Sequence, residues 1–381
     1  YFLTAPFYNF VQSSNILTRL FVSRLSSVVF TILLVITTYM IGNLIFEKKS
    51  YGYTLALMTL FFPMTVYIGS GVSSDNLHNL LFTLFLYYAI KYLKFGPSTR
   101  DSLITGLIIV LDILTKPQAY IMLPILIIAI IIRWRTDEWR SILYSSCVTL
   151  FPILLVSIIF KQPQYLDPSS TMVTQSFLDF VRHYRALIPP LLVWYWGVFK
   201  WFGVVLPHPV WWVANRLVII AGIGLLYSIW KTHRGNFLIR VIVFAVLANL
   251  TYLGALLWFD WQFYEAIGRS LGFQARYLMP LLSTQMFLLL YGLVSLGQSI
   301  RMRELIRRTV VVLFLVLHFA GLYTMISSYY DLVPIHRFIE QISQYKPVYA
   351  KGNLWYLWFT LYFTGIITTT IIALKKDKSN T

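Results

Sequence analysis

Apolar stretches near 18–46, 52–70, 75–94, 101–115, 117–133, 140–160, 210–230, 236–259, 277–299, 308–329 and 353–374 alternate along the chain with short hydrophilic joints. They emerge in windows of roughly 17–25 residues, the length that carries a helix through the hydrocarbon layer of a bilayer. Backbone N–H and C=O groups find no water in that layer, so each stretch is expected to satisfy them internally as a helix. The pattern therefore predicts an all-α polytopic membrane protein with about eleven transmembrane helices in a single integral domain over residues 1–381.

The joints sort by charge. Lys48/Lys49, Lys91/Lys94/Arg100, Arg133/Arg135/Arg140, Lys231/Arg234/Arg240, Arg301/Arg303/Arg307/Arg308 and Lys375/Lys376/Lys378 occupy every second joint. By the positive-inside rule these face the cytoplasm, together with the C-terminus. Segments 70–75, 115–118, 161–209, 260–276 and 330–352 then face outward, and so does Tyr1. A chain that starts outside and re-enters at Arg19 is expected to lack a leading span that precedes Tyr1. Segments 161–209 and 330–352 are the large outer pieces. The first is rich in Trp and Tyr from Trp194 to Phe202, which suits short helices at the headgroup layer, as a lid, a lipid-docking shelf or a plain interfacial belt. In the second, Ile335–Glu340 is patterned as a short amphipathic helix.

Composition agrees with a membrane setting: 58% of the residues are hydrophobic, 12% are charged and the mean hydropathy is +0.70. A formal charge of +17 could suggest nucleic acid, but the cations concentrate in the inner joints, where they set topology and meet anionic lipid. No nucleic-acid partner is expected. The lone cysteine, Cys147, excludes a disulfide within this chain and any CxxC-type metal site, and reads as a packing residue. No internal repeat is visible, which argues against a secondary transporter built from two related halves. Walker, GxSxG, HExxH and dinucleotide-binding patterns are also missing from the sequence.

Ionisable residues within or at the edge of a bilayer are costly unless paired or hydrated, so they mark candidate sites. Asp75 opens a span after Ser73-Ser74, and on a helix it shares one face with His78 and Asn79. Its alternative role is a helix N-cap. Asp112 and Lys116 lie four residues apart ahead of Pro117, so they are expected to meet along a helix as a structural pair at the outer interface, with Lys116 open to phosphate. Arg276, in Gln274-Ala275-Arg276-Tyr277-Leu278-Met279-Pro280, stands at the outer start of a span, where a guanidinium can grip phosphate through its fork. Arg269, Glu265 and Asp260 share its loop, and Arg182, His183 and Arg185 add outer cationic character. The residues describe an outward-facing, cationic, aromatic-walled cavity suited to an anionic lipid-linked substrate.

At these residues the chain resembles the polytopic GT-C-fold glycosyltransferases that use polyprenyl-phosphate-linked sugars. It is closest to a largely uncharacterised family of bacterial predicted membrane proteins in that superfamily. The resemblance runs in order through Tyr1–Pro6 with Arg19 and Arg24-Leu25, Phe62-Pro63-Met64 to Asp75-Asn76, Leu114–Gln118, Trp196–Phe199 with Leu206-Pro207, and Gln274–Pro280. It implies a GT-C-like fold in the bacterial cytoplasmic membrane. It further implies transfer of a sugar from a polyprenyl-phosphate donor to an extracytoplasmic acceptor. Asp75, the candidate catalytic residue, would lie near the acceptor or a divalent metal, and Lys116 and Arg276 would hold the donor phosphate. His78, Arg269 and Tyr277 are further candidate substrate-binding residues. The superfamily's leading outer loop usually supplies the acidic general base or metal ligand; that loop is expected either to lie before Tyr1 or to be missing in a degenerate relative kept as a structural subunit. A non-catalytic scaffold or accessory subunit among other membrane subunits is the alternative, and a flippase for lipid or lipid-linked sugar is a third reading.

Overall fold

A computed structural model describes residues 5–134, 138–159, 176–200, 202–231, 236–267 and 274–375. Its helices follow the apolar stretches closely. A short α1 (Ala5–Asn9) leads into α2 (Ile16–Ile45), α3 (Lys49–Leu60), α4 (Pro63–Gly69), α5 (Ser74–Phe95) and α6 (Thr99–Thr115). A 3-10 turn over Pro117–Ile121 then runs into α7 (Met122–Arg133), followed by α8 (Trp139–Ile159) and α9 (Phe177–Trp194). After a two-residue antiparallel ladder, Val198–Phe199 with Val204–Val205, come α10 (His208–Lys231) and α11 (Phe237–Ile267). A second 3-10 turn, Ala275–Leu281, opens α12 (Leu282–Ser295), and α13 (Ile300–Ser327), α14 (Ile335–Ser343) and α15 (Leu354–Leu374) complete the chain.

Proline and glycine set the breaks. Pro63 has no amide hydrogen to continue α3, so the stretch expected as one span over 52–70 divides into α3 and α4, bent by 60°. Gly96 ends α5 at φ 87, a conformation that a residue with a Cβ resists. Hydroxyl groups inside the spans bond back to the preceding turn, as Thr38 does to the Leu34 carbonyl at 2.9 Å and Thr54 to that of Ser50 at 2.9 Å, which hides them from hydrocarbon.

Among the described residues, seven helices are long and apolar enough to cross a membrane, or eight if α3 and α4 form one bent span. The expected eleven exceeds that number because α5, α6 and α7 fall short on length or hydropathy. The reason for α5 is visible: it is enclosed by protein and buries Asp75, Asn76, His78 and Asn79 along with its apolar residues. Lipid-facing helices must be apolar, whereas a helix inside the bundle can carry polar groups if they are bonded. The centre of the core is made by Ile41, Leu55, Met58, Phe82, Phe85, Leu86, Phe287 and Leu290, all essentially inaccessible.

Contacts between joints keep the two sets assigned from charge apart. Lys94 donates to the Leu44 carbonyl at 2.6 Å and lies over the Phe237 ring, which joins basic ends. Phe21 packs on Tyr349, and Lys200 donates to the Ser328 carbonyl, which joins the other ends. In the aromatic segment, Trp196 and Phe199 are buried rather than arranged as a surface belt: Trp196 packs at a tilt against Phe62 and donates to Asn215 Oδ1 at 2.8 Å. The amphipathic pattern at Ile335–Glu340 forms α14, which buries Phe338, Ile339 and Ile342. Cys147, expected to pack inside, is exposed on α8.

Helices α10 and α12 touch backbone to backbone. A Cβ on Gly292 would lie 2.3 Å from the Ala221 oxygen, and one on Gly224 1.9 Å from the Gly292 oxygen. Small residues permit this approach, and dispersion over the close seam replaces the hydrophobic drive that lipid removes. Gly292→Ala is accordingly expected to destabilise the protein by about 1–3 kcal/mol through overpacking. Gly222→Ala, which meets nothing within 4 Å, should be neutral or mildly stabilising. Thermal unfolding of both variants in detergent checks the contrast, and equal midpoints would refute it.

Candidate active site

Three helix openings and endings converge at one end of the bundle. Ser73 caps α5 by accepting the Asp75 amide at 3.1 Å, and Asn76 Nδ2 donates to the Ile68 and Gly71 carbonyls at 3.1 and 2.9 Å. Those bonds fix the turn 68–73 and hold Asp75 in the first turn of α5, where amide dipoles favour its negative charge. The N-cap is thus Ser73, which leaves the Asp75 carboxylate free for another partner. That partner is Lys116, whose Nζ stands 2.5 Å from Asp75 Oδ1.

The expected Asp112–Lys116 pair does not form. Pro117 disfavours a helical conformation at the residue before it, and Lys116 is extended at φ −157° and ψ 132°. Its side chain swings out of register with Asp112 and crosses to α5. Asp112, fully buried, pairs with His78 instead: Nδ1 lies 2.9 Å from both carboxylate oxygens. This geometry puts the ring proton on Nδ1, facing the carboxylate, and turns Nε2 toward Tyr252 Oη of α11 at 3.5 Å. His78 is one helical turn below Asp75, so an outer ion pair sits above an inner imidazole–carboxylate pair.

The 3-10 turn before α12 brings in Arg276 and Tyr277. The Tyr277 ring is bracketed by two cations, Lys116 Nζ at 5.1 Å and Arg276 Cζ at 5.4 Å from its centroid. Arg276 Nε is buried and has no hydrogen-bond partner among the described residues. Asp75, His78, Lys116, Arg276 and Tyr277 therefore belong to one cluster, with Asp112 beneath it. Arg269 lies outside the described residues. Arg182, His183 and Arg185 are exposed on α9, with Arg182 committed to Asp179 at 3.1 Å.

Among the described residues, no group of three or more His, Cys, Asp or Glu side chains converges as a metal cage. Asp75 is engaged by Lys116 and Asp112 by His78, so these residues do not fit a metal ion as they stand.

Below the cluster runs a polar chain that the sequence reading missed. Tyr195 Oη donates to Gln285 Oε1 at 2.6 Å, Gln285 Nε2 donates to Asn249 Oδ1 at 2.9 Å and to the Leu278 carbonyl at 3.2 Å, and Asn249 Nδ2 reaches Thr284 at 3.0 Å. The bond to Leu278 anchors the turn that carries Arg276 and Tyr277. Asn249 and Gln285 stand in the middle of apolar runs, a signal that could have revealed them. Tyr252 gave none, being one tyrosine among 26.

Residues 7–160 match the family model described as dolichyl-phosphate-mannose-protein mannosyltransferase, a GT-C-fold glycosyltransferase family. The matched segment contains Asp75, His78, Asp112 and Lys116, while Arg276 and Tyr277 lie beyond it. No curated protein and no solved structure matches the chain. The apolar helices and this match together define a multi-pass membrane protein, and at the level of class they support a membrane glycosyltransferase that draws on a polyprenyl-phosphate-linked sugar.

Proposed function

We propose that the chain transfers a sugar from a polyprenyl-phosphate donor to an acceptor on the extracytoplasmic side of a bacterial cytoplasmic membrane, with its C-terminus inside. The observation that carries this reading is the convergence of Lys116, Arg276 and Tyr277 on Asp75 at the outer helix ends. In such a reaction the acceptor oxygen loses its proton and attacks the sugar's anomeric carbon. The bond from that carbon to the phosphate oxygen breaks, and polyprenyl phosphate leaves with the bonding electrons. Two cations at the phosphate offset the charge that develops on the leaving group. Lys116 would pass from Asp75 to the phosphate as the donor enters, which leaves the Asp75 carboxylate without its counterion and ready to receive the acceptor's proton.

Replacing Lys116 or Arg276 by Met should weaken binding of a polyprenyl-phosphate sugar about tenfold or more, since each removes a charge-assisted contact to phosphate. Titration of the detergent-solubilised protein with the donor, alongside its unfolding profile, is the check. Unchanged affinity in folded variants would sink the assignment. The short, satisfied Lys116–Asp75 pair favours the second reading, a non-catalytic subunit that keeps the fold and binds lipid or partner spans. Under that reading the same variants lose stability and no donor affinity is measurable in the parent.

A further inference from the structure

At the basic end of the bundle, α10 and α11 stand apart over α12 and leave a cleft with two chemically different parts. The part toward the bilayer interior, about 380 Å³, has apolar walls that include Val218, Ala221, Leu225 and Leu288. One helical turn further along α10 and α12 lies a polar hollow of about 460 Å³ whose lining includes Tyr227, Ser228, Lys231, Tyr291, Gln298 and Arg303. No carboxylate lines it among the described residues. Ser228 and Tyr291 hydroxyls bond each other at 2.7 Å across the floor. Arg303 Nε is fixed on the Gly297 carbonyl at 2.9 Å, which leaves the rest of its guanidinium to point elsewhere. Lys231 Nζ lies over the Tyr227 ring at 5.7 Å and forms no ion pair with a described residue. Among the described residues the hollow thus holds two cations without an anion to balance them, and the apolar cavity follows one helical turn along α10 and α12.

We propose that this cleft holds one anionic phospholipid of the inner leaflet. Its phosphate sits between Lys231 and Arg303, with the Ser228–Tyr291 hydroxyls beside it, and an acyl chain lies along the apolar part between α10 and α11. Charge complementarity selects the headgroup: a basic pocket between membrane helices attracts a phosphate diester that carries net charge, and a zwitterionic lipid gains less because its own ammonium repels the two cations. The apolar extension selects a lipid over soluble phosphate. The headgroup hollow lies at the opposite end of the bundle from Asp75 and Lys116, so the inference stands whatever reaction occurs there.

The test is native mass spectrometry of the full chain released from a neutral detergent, with phosphatidylglycerol or phosphatidylcholine added at equal concentration. One phosphatidylglycerol should be retained about tenfold more strongly than phosphatidylcholine. Lys231→Gln, at an exposed position without a hydrogen bond, should lower that affinity roughly fivefold, and K231Q/R303Q roughly thirtyfold. Lys351→Gln, an exposed cation at the other end of the chain's fold, should leave it unchanged. Equal retention of the two lipids overturns the proposal, as does retention unaffected in Lys231→Gln. Displacement of the lipid by millimolar inorganic phosphate, with no preference between headgroups, would assign the hollow to soluble phosphate and overturn the lipid. Because Lys231 is exposed and gives up a surface contact with the Tyr227 ring rather than core packing, Lys231→Gln decides the matter even if the double variant fails to fold.

Discussion

Asp75→Asn is expected to lower turnover about 10²–10⁴-fold while donor binding tightens. The two effects have one cause. Asparagine keeps the size of the side chain and leaves the Ser73 cap and the Asn76 bonds intact, so α5 begins where it did. It removes the charge that holds Lys116 at 2.5 Å. Without that competitor, Lys116 and Arg276 both face the donor phosphate with full charge, and the dissociation constant should fall. The proton of the acceptor hydroxyl then has no carboxylate to receive it, and the chemical step slows. Fewer interactions in the transition state together with more in the ground state give a lower kcat and a lower KM, a combination that separates a lost base from a loosened fold. A merely structural Asp75 predicts the reverse: an unpaired, largely buried Lys116, a lower unfolding midpoint and turnover that scales with the folded fraction. Steady-state kinetics with a polyprenyl-phosphate sugar, run beside donor titration, distinguish them. Full turnover in Asp75→Asn would remove Asp75 from the chemistry.

The inner pair gives this prediction its background. His78 and Asp112 are enclosed by α5, α6 and α11, and neither reaches the ion pair above it by a hydrogen bond that the structure shows. They hold α5 to α6 and so fix the separation of Asp75 from Lys116. The alignment of the outer site rests on a buried bond that a spacing argument would not have found.

How much of this was legible in the sequence depends on the range of the interaction. Hydrophobic runs located the helices, and the breaks at Pro63, Gly96 and Pro117 are local consequences of one residue's geometry. Asp75, Lys116 and Arg276 were visible as candidates because an ionisable group at a membrane edge is conspicuous. Their partners were not. The four-residue spacing of Asp112 and Lys116 suggested a helical pair, yet Pro117 disfavours the helical conformation at Lys116 that such a pair needs. His78 lies 34 residues from Asp112, and no local pattern relates them. Trp196 and Phe199 looked interfacial by type, but a tight ladder and α3–α4 enclose them. In the run Arg301, Arg303, Arg307 and Arg308, nothing in composition marks Arg307 as the one that is wholly buried.

That arginine carries the largest expected effect on stability. Arg307 Nη1 donates to Thr54 Oγ1 of α3 at 3.0 Å and to the Ala373 carbonyl of α15 at 2.5 Å, while Nη2 lies 3.0 Å from Glu304 Oε2 within α13. One side chain therefore ties three helices. It matters most to α15, whose length buries only Ile366 and Ala373 and which otherwise gains a polar hold from Tyr362 on His318 at 2.6 Å. Arg307→Met preserves volume and apolar contact but strands the Glu304 carboxylate and the Ala373 carbonyl in a poorly solvated place, while the Thr54 hydroxyl keeps its bond to the Ser50 carbonyl. Breaking a buried pair from one side costs about 3–5 kcal/mol. The expected results are a lower unfolding midpoint in detergent and faster hydrogen exchange over residues 366–374, with α5 and α12 unaffected at first. Adding Glu304→Gln should recover part of the loss, because the stranded charge accounts for much of it. An unfolding midpoint within about 1 °C of the parent would show that α15 is held by lipid and packing alone.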